Sequence, residues 1–244
     1  EHLFIASTHD YILFFTDRGQ VHWIKVYDIP EMGRAARGRA LANVLELEKD
    51  EKITSMIPVR EFDEGRFLVM ATASGVIKKT SLSAFGRPQK GGIRAVNLDG
   101  GDSLIGVVLT NGQQKLMLAT RKGQACYFNE SDVRPMGRPA RGVTGIRLHE
   151  GDVVVSLIAE TPGASVLTVT EHGCGKRTGF ADYRLTKRGA HGVINLRRTD
   201  KTGDVVEVMP VSEDDEIMLM TSEGMVVRTS ASGIRVIGRA TQGV

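Results

Sequence analysis

Apolar runs of four to six residues alternate along this chain with short Gly-, Pro- and Asp-containing turns, and no stretch sustains a helical period. Phe67–Ala71, Leu116–Ala119, Val166–Val169 and Ile217–Met220 are almost continuously apolar, the pattern of strands covered on both faces. Each is followed by Thr-x-x-Gly, at Thr72/Gly75, Thr120/Gly123, Thr170/Gly173 and Thr221/Gly224, and an earlier copy stands at Thr16/Gly19. A glycine at the fourth turn position supplies the positive φ of a tight hairpin, so each run predicts a strand c turning back into a strand d. The clearest copy adds strand a at Val143–Leu148, an acidic turn at His149–Asp152, strand b at Val153–Glu160, a Pro162-Gly163 turn, strand c at Ser165–Val169, and strand d from Cys174. Strand c is expected to lie deepest in every copy.

A second marker keeps step with the first. Gly137-Arg138-Pro139-Ala140-Arg141-Gly142 has close copies at Gly33–Gly38, Gly86–Gly91 and Gly238–Gly243, and a looser one at Lys187–Gly192. Two unrelated markers sharing a period of about fifty residues define a repeat protein. Small sheets that cannot bury their faces alone predict an all-β, propeller-like array of four-stranded blades. His2–Ser7 and Tyr11–Phe15 read as strands b and c, and the chain stops just after a basic turn. Residues 1–244 are therefore expected to form a single domain of five visible repeats, with about six blades in the intact domain.

Charge is distributed by repeat position, although the net charge is only +3. The basic turns with their flanks, Gly33–Arg39, Gly86–Arg94, Gly137–Arg147, Arg184–Arg198 and Ile234–Val244, hold 16 of the 32 Lys and Arg and none of the 29 Asp and Glu. The acids collect one strand later, as in Glu46, Glu48, Asp99, Asp102, Glu150, Asp152, Asp200 and Asp204. A six-residue strand a, roughly 20 Å long, would hold the two charges at opposite ends and let the positive turns form a belt. Arginines on glycine-rich backbone suit phosphate oxygens. The candidate DNA contacts are Arg34, Arg37, Arg39, Arg87, Lys90, Arg94, Arg138, Arg141, Arg147, Lys187, Arg188 and Arg239, widened from strand d and its approach by Lys78, Lys79, Arg121, Lys122, Lys176 and Arg177. The competing reading is that these cations cap turns and pair with acids of neighbouring repeats.

Eight Phe, four Tyr and one Trp, several inside apolar strands, leave few platforms for stacking unpaired bases, which favours duplex DNA contacted through its backbone. Cys126 and Cys174 lack motif spacing and read as packing thiols in a reducing cytoplasm. His172-x-Cys174 has no second ligand pair, and no nucleophile-base arrangement or nucleotide loop is present, so neither metal, cofactor nor catalysis is expected of this domain alone. No apolar run approaches the roughly 20 residues of a membrane span. A protein-binding propeller scaffold is the alternative from another class.

The basic turns, the Thr-x-x-Gly hairpins, and the strings His2–Asp10, Lys25–Pro30 and Gly175–Thr178 closely resemble the C-terminal domain family of bacterial DNA gyrase A, over the whole chain. The resemblance implies a β-pinwheel whose blades exchange strands and whose basic rim wraps DNA, so that strand passage elsewhere in the enzyme introduces negative supercoils. It implies the rest of gyrase A, together with gyrase B, as partners, with the cleavage tyrosine and the ATP and Mg2+ of the holoenzyme outside this chain. That family carries a glutamine-arginine-arginine-glycine-glycine box in its first blade. The box is not in this sequence, and the repeat phase puts the corresponding turn just upstream of Glu1. The related domain of topoisomerase IV, with a degenerate box, is the second family reading.

Overall fold

The computed structural model describes residues 6–33 and 40–244, the side chain of Asn43 excepted. The described chain falls into two compact units, one of Glu1–Gly112 with Val133–Val143, the other of Gln113–Asp132 with Thr144–Val244.

In the first unit β1 (Tyr11–Thr16) and β2 (Gln20–Lys25) form a hairpin, β3 (Ile53–Val59) pairs with β1, and β4 (Phe67–Thr72) and β5 (Val76–Ser81) form the next hairpin. The two-residue β6 (Ile93–Arg94) completes the first sheet on β2, and β7 (Leu104–Thr110) pairs with β4. In the second unit β8 (Lys115–Thr120) and β9 (Gln124–Asn129) form a hairpin. The short β10 (Val143–Thr144) completes the sheet of β5, while β11 (Val154–Ala159) pairs with β8. A further hairpin joins β12 (Ser165–Thr170) to β13 (Gly175–Gly179). The brief β14 (Leu185–Thr186) and β15 (Val193–Ile194) both lie on β9, β16 (Val205–Val211) pairs with β12, and β17 (Glu216–Met220) pairs with β18 (Val226–Ser230).

One rule generates the sheets. Strands c and d of a repeat pair with strand b of the next repeat and strand a of the one after, as in β7-β4-β5-β10. The unit marked by the sequence period is therefore not the unit of the sheet: each blade draws on three consecutive repeats. The cause is the long connection carrying the basic turn, which takes strand a past the next blade instead of folding it onto its own.

The hairpins obey local chemistry. In each Thr-x-x-Gly turn the glycine N–H donates to the threonine carbonyl at 3.0 Å, and φ at the glycine is positive, +74° to +87°. The hydroxyls of Thr16, Thr72, Thr120 and Thr221 accept the N–H four residues on, at 3.1–3.3 Å, which closes the turn. Strand c is buried as expected in β4 and β8, where Leu68 and Leu116 are at the centre of their sheets. The expectation fails at β17, where Met218 is 52% exposed, because among the described strands β17 is paired on one edge only.

The acidic turns are structural as well. Asp102 accepts the N–H of Ser74 at 3.0 Å and of Ser103 at 2.8 Å, and Asp152 accepts the N–H of Lys122 and of Val153, both at 2.9 Å. Each carboxylate caps the hairpin turn of the preceding strand pair. Burial would raise the Asp102 pKa, but hydrogen bonds from Ser74, Thr72 and Ser103 outweigh it and hold the carboxyl below its ordinary range.

Candidate nucleic-acid interface

Each described basic turn is laid over strand d of the second blade before it. The chain runs up parallel to that strand, as Pro135 beside Lys79, Leu185–Thr186 beside Tyr127–Phe128, and Val236 beside Arg177. It then makes the glycine-bracketed turn and returns antiparallel, as β6 on β2 and β15 on β9. The return demands glycine. Gly142 has φ +109°, and a Cβ there would sit 2.7 Å from the Ile77 carbonyl oxygen. At Gly192, φ is +81° and the Ala125 oxygen would be 2.6 Å away. No side chain fits between the turn and the strand beneath it.

The predicted strand a at Val143–Leu148 is not a six-residue strand. It is a strand only over Val143–Thr144, and then bends so that Ile146 bridges to Ala190 in the basic turn of the next repeat. The Asn97 N–H donates to Ala140 O at 3.5 Å, Arg147 N–H to Ala190 O at 2.9 Å, and Arg197 N–H to Thr241 O at 2.9 Å. The end of each of these strands a is thus backbone-linked to the basic turn of the next repeat. The same bend brings acid to base: Arg141 Nε is 2.7 Å from Asp99 Oδ2, and Lys90 Nζ is 3.6 Å from Glu46 Oε1. These pairs join each turn to the acids of the preceding repeat, and the fifth position of the turn carries neighbour-pairing cations. Both pairs are well exposed and worth little in stability, about 0–1 kcal/mol. At the next junction the two positions are His191 and His149, whose rings stack with centroids 5.2 Å apart.

Apart from Lys90 and Arg141 and those on strand d, the sequence-predicted contacts divide into three groups. Arg34, Arg37 and Arg39 lie outside the described residues. Arg87, Arg94, Arg121, Arg147 and Lys187 are exposed and form no ion pair with another described residue, and Arg138 is half-buried on the same kind of turn. Arg188 and Arg239 are half-buried and tied to backbone: Arg188 Nε donates to Asp132 O at 2.9 Å and its Nη1 to Thr144 O at 3.1 Å, and Arg239 Nη1 donates to Ile194 O at 2.9 Å. Lys122 is half-buried, its Nζ donating to Glu150 O at 2.7 Å.

Four predicted contacts are corrected outright. Lys78, Lys79, Lys176 and Arg177 belong to strand d, which the basic turns cover, and all four are buried. Lys79 lies with its Nζ 5.2 Å from the Phe67 ring centroid. Arg177, 3% exposed, is held by Glu213 at 2.7 Å and the Ile234 carbonyl at 2.8 Å, and this pair keeps the Glu213 carboxyl below its usual range. The sequence pattern also passed over Arg134, Arg184 and Arg235. These stand at one offset before three successive basic turns, on the segment running up to each turn, and all are exposed. The fixed spacing to the turn's own arginine was the available signal.

No cluster of three or more metal-ligating side chains occurs among the described residues, and His172 Nδ1 is 3.1 Å from the Lys201 carbonyl. Cys126 is buried with Sγ 3.9 Å from the Lys187 carbonyl, and burial pushes its thiol pKa up. No described helix is long and apolar enough to cross a membrane.

A family model described as "DNA gyrase C-terminal domain, beta-propeller" matches residues 10–60, 66–111, 114–159, 164–212 and 215–244, one segment for each repeat. The whole chain is 49% identical to the DNA gyrase A protein of Salmonella typhimurium and 48% identical to that of Escherichia coli K12. It spans 28% of the length of each. Among solved structures it is similar to a C-terminal domain of DNA topoisomerase IV, with TM-score 0.88 and 28% identity over 97% of this chain and 74% of that one. It is also similar to a DNA gyrase A C-terminal domain, with TM-score 0.85 and 28% identity over 98% of this chain and 78% of that one.

Proposed function

We propose a function for this chain from one premise: it belongs to the DNA gyrase C-terminal domain, beta-propeller family. Its task is to bind duplex DNA through the phosphate backbone and to bend it, as one wrapping domain over residues 1–244. The wrap would present a second DNA segment to a cleavage gate elsewhere in the topoisomerase, so that strand passage introduces negative supercoils. The chain would do no catalysis itself. The remainder of gyrase A, gyrase B, and the ATP and Mg2+ of the complete enzyme would supply that, in the cytoplasm.

The observation that carries this reading is the backbone link from the end of strand a to the glycine turn of the next repeat, at Asn97–Ala140, Arg147–Ala190 and Arg197–Thr241. A stiff polyanion bent by 40–90° over a short site costs about 1–6 kcal/mol, more than one turn can offset, so a wrapping surface needs cations that recur at a fixed spacing. The recurring set is Arg87, exposed, and Arg138, half-buried, on the turns, with exposed Arg94 and Arg147 just after them and exposed Arg134, Arg184 and Arg235 just before. The absence of any recognition helix or groove-reading ribbon from the described residues fits contact with little sequence preference.

Fluorescence anisotropy with a labelled duplex tests this. Binding at low salt with a log–log slope of about −4 to −6 corresponds to five or six neutralised phosphates. Arg87→Ala and Arg138→Ala should weaken unrelated sequences alike. Absence of binding at low ionic strength would refute the reading. The similarity to a topoisomerase IV C-terminal domain supports a second version, in which this chain is the C-terminal domain of that enzyme. Linking-number change in relaxed circles, treated with the chain and a nicking-closing enzyme, separates the two.

A further inference from the structure

Beneath each described basic turn, one side chain of strand d fills the space the turn encloses. Counted from the Thr-x-x-Gly threonine it is always the same repeat position: His22, Lys78, Cys126 and Lys176. At Lys176, 0% exposed, Nζ donates to the carbonyls of Asn195 at 2.7 Å, Gly238 at 3.0 Å and Arg239 at 2.5 Å. Lys78, 1% exposed, donates from Nζ to Ala95 O at 2.6 Å and also to Arg138 O. In both repeats the ammonium joins the end of one strand a to the basic turn of the following repeat, and its acceptors include the carbonyl of the turn's first arginine. The other two positions hold their turns by weaker means. Cys126 Sγ lies 3.9 Å from Lys187 O, and the His22 ring packs against Gly92, where a Cβ would come within 2.8 Å of it.

We propose that Lys78 and Lys176 are positioning residues for DNA wrapping: each locks the basic turn above it, Gly137–Gly142 or Gly238–Gly243, into one conformation that fixes the backbone position of its first arginine, whereas the turns over His22 and Cys126 are held more loosely. The proposal rests on the DNA-binding reading above for its functional consequence, but the lock itself is a separate physical statement. Three donors on one ammonium match three carbonyls at Lys176, and no hydroxyl or thiol offers that number. Charge-assisted bonds of this kind are about twice as strong as neutral ones. The charge stays beneath the turn, and so adds to the local positive potential without contacting the ligand.

Protonation state gives the lock a signature. Burial first, then the neighbouring Arg138, lowers the Lys78 pKa to about 8; burial and Arg239 do the same at Lys176, with Asp182 opposing, again to about 8. The groups facing each Nζ are otherwise backbone carbonyls. Opening a turn returns its lysine to water, where the pKa is 10.5, so above about pH 8 the open turn takes up a proton that the closed turn does not hold. Turns 137–142 and 238–243 should therefore become harder to open as pH rises from about 8.

The test is amide hydrogen exchange of the 244-residue chain, corrected for intrinsic rates, with duplex affinity measured in parallel. In the wild-type chain, protection in turns 137–142 and 238–243 should rise about tenfold across that pH window, while turns 86–91 and 187–192 and the central strands stay unchanged. Lys78→Met and Lys176→Met keep the buried stem and remove the ammonium. Each should expose only its own turn, make that turn's exchange insensitive to pH, and weaken duplex binding several-fold, with Lys→Arg restoring part of the protection. If either Met variant fails to fold, the wild-type pH profile decides. Equal pH response in all four turns, or unchanged exchange in the Met variants, overturns the lock. A chain whose turns respond as expected but which binds no duplex keeps the lock and sinks the DNA reading instead.

Discussion

Gly123 and Gly224 offer a controlled comparison, since both end a Thr-x-x-Gly turn in the second unit and both have φ +84°. Adding a methyl to either places an L-residue in the left-handed region, at about 1–2 kcal/mol. Only Gly123 is approached by another backbone: its Cβ would meet the Leu196 oxygen at 2.4 Å, whereas nothing lies within 4 Å of the site at Gly224. Relieving that contact means moving the Asn195–Leu196 segment, whose N–H groups both donate to the Gly123 carbonyl, at 2.8 and 3.2 Å. Two bonds at about 1 kcal/mol each are then at risk. Gly123→Ala should therefore cost about 3–4 kcal/mol and Gly224→Ala about 1–2 kcal/mol. Urea unfolding of the two variants and the parent, read at constant m, measures the difference, which should displace the midpoints by about 1 M. Equal midpoints would mean that the turn conformation alone requires glycine, and that the strand a contact carries no energy.

Other outcomes follow from the same geometry. Asp99→Asn, which removes the carboxylate 2.7 Å from Arg141 Nε, should leave the melting temperature nearly unchanged but tighten duplex binding at low salt; weaker binding would argue against a role for Arg141. Asp102 has a folded pKa below its unfolded 3.8, so its stabilisation is complete above that value and is lost as pH falls through the folded one. Asp102→Asn should accordingly flatten the acid limb of a stability-versus-pH curve, and an unaltered limb would show that the cap contributes nothing. At Lys78 and Lys176 the folded pKa of about 8 lies below the unfolded 10.5, so between them the unfolded chain binds more protons and global stability rises with pH. The urea midpoint should climb across that window in the parent and not in the double Met variant, in the same direction as the tightening of the two turns.

Much of the fold was legible in the chain itself, because the elements that repeat are held by bonds between residues four or fewer apart. The threonine hydroxyl and glycine of each hairpin, the apolar strand before it and the glycine-bracketed turn all answer to local rules, and they gave a five-fold all-β array and the position of its cations. Only tertiary structure could decide which cations face outward. Lys78 and Arg87 look alike in a charge census, yet one is buried under a turn and the other stands on one, since strand d is covered by a segment more than fifty residues downstream. The same long connection shares each sheet among three repeats and brings Asp99 to Arg141. Contacts of that range depend on where the chain returns in space, which the period of a sequence does not encode.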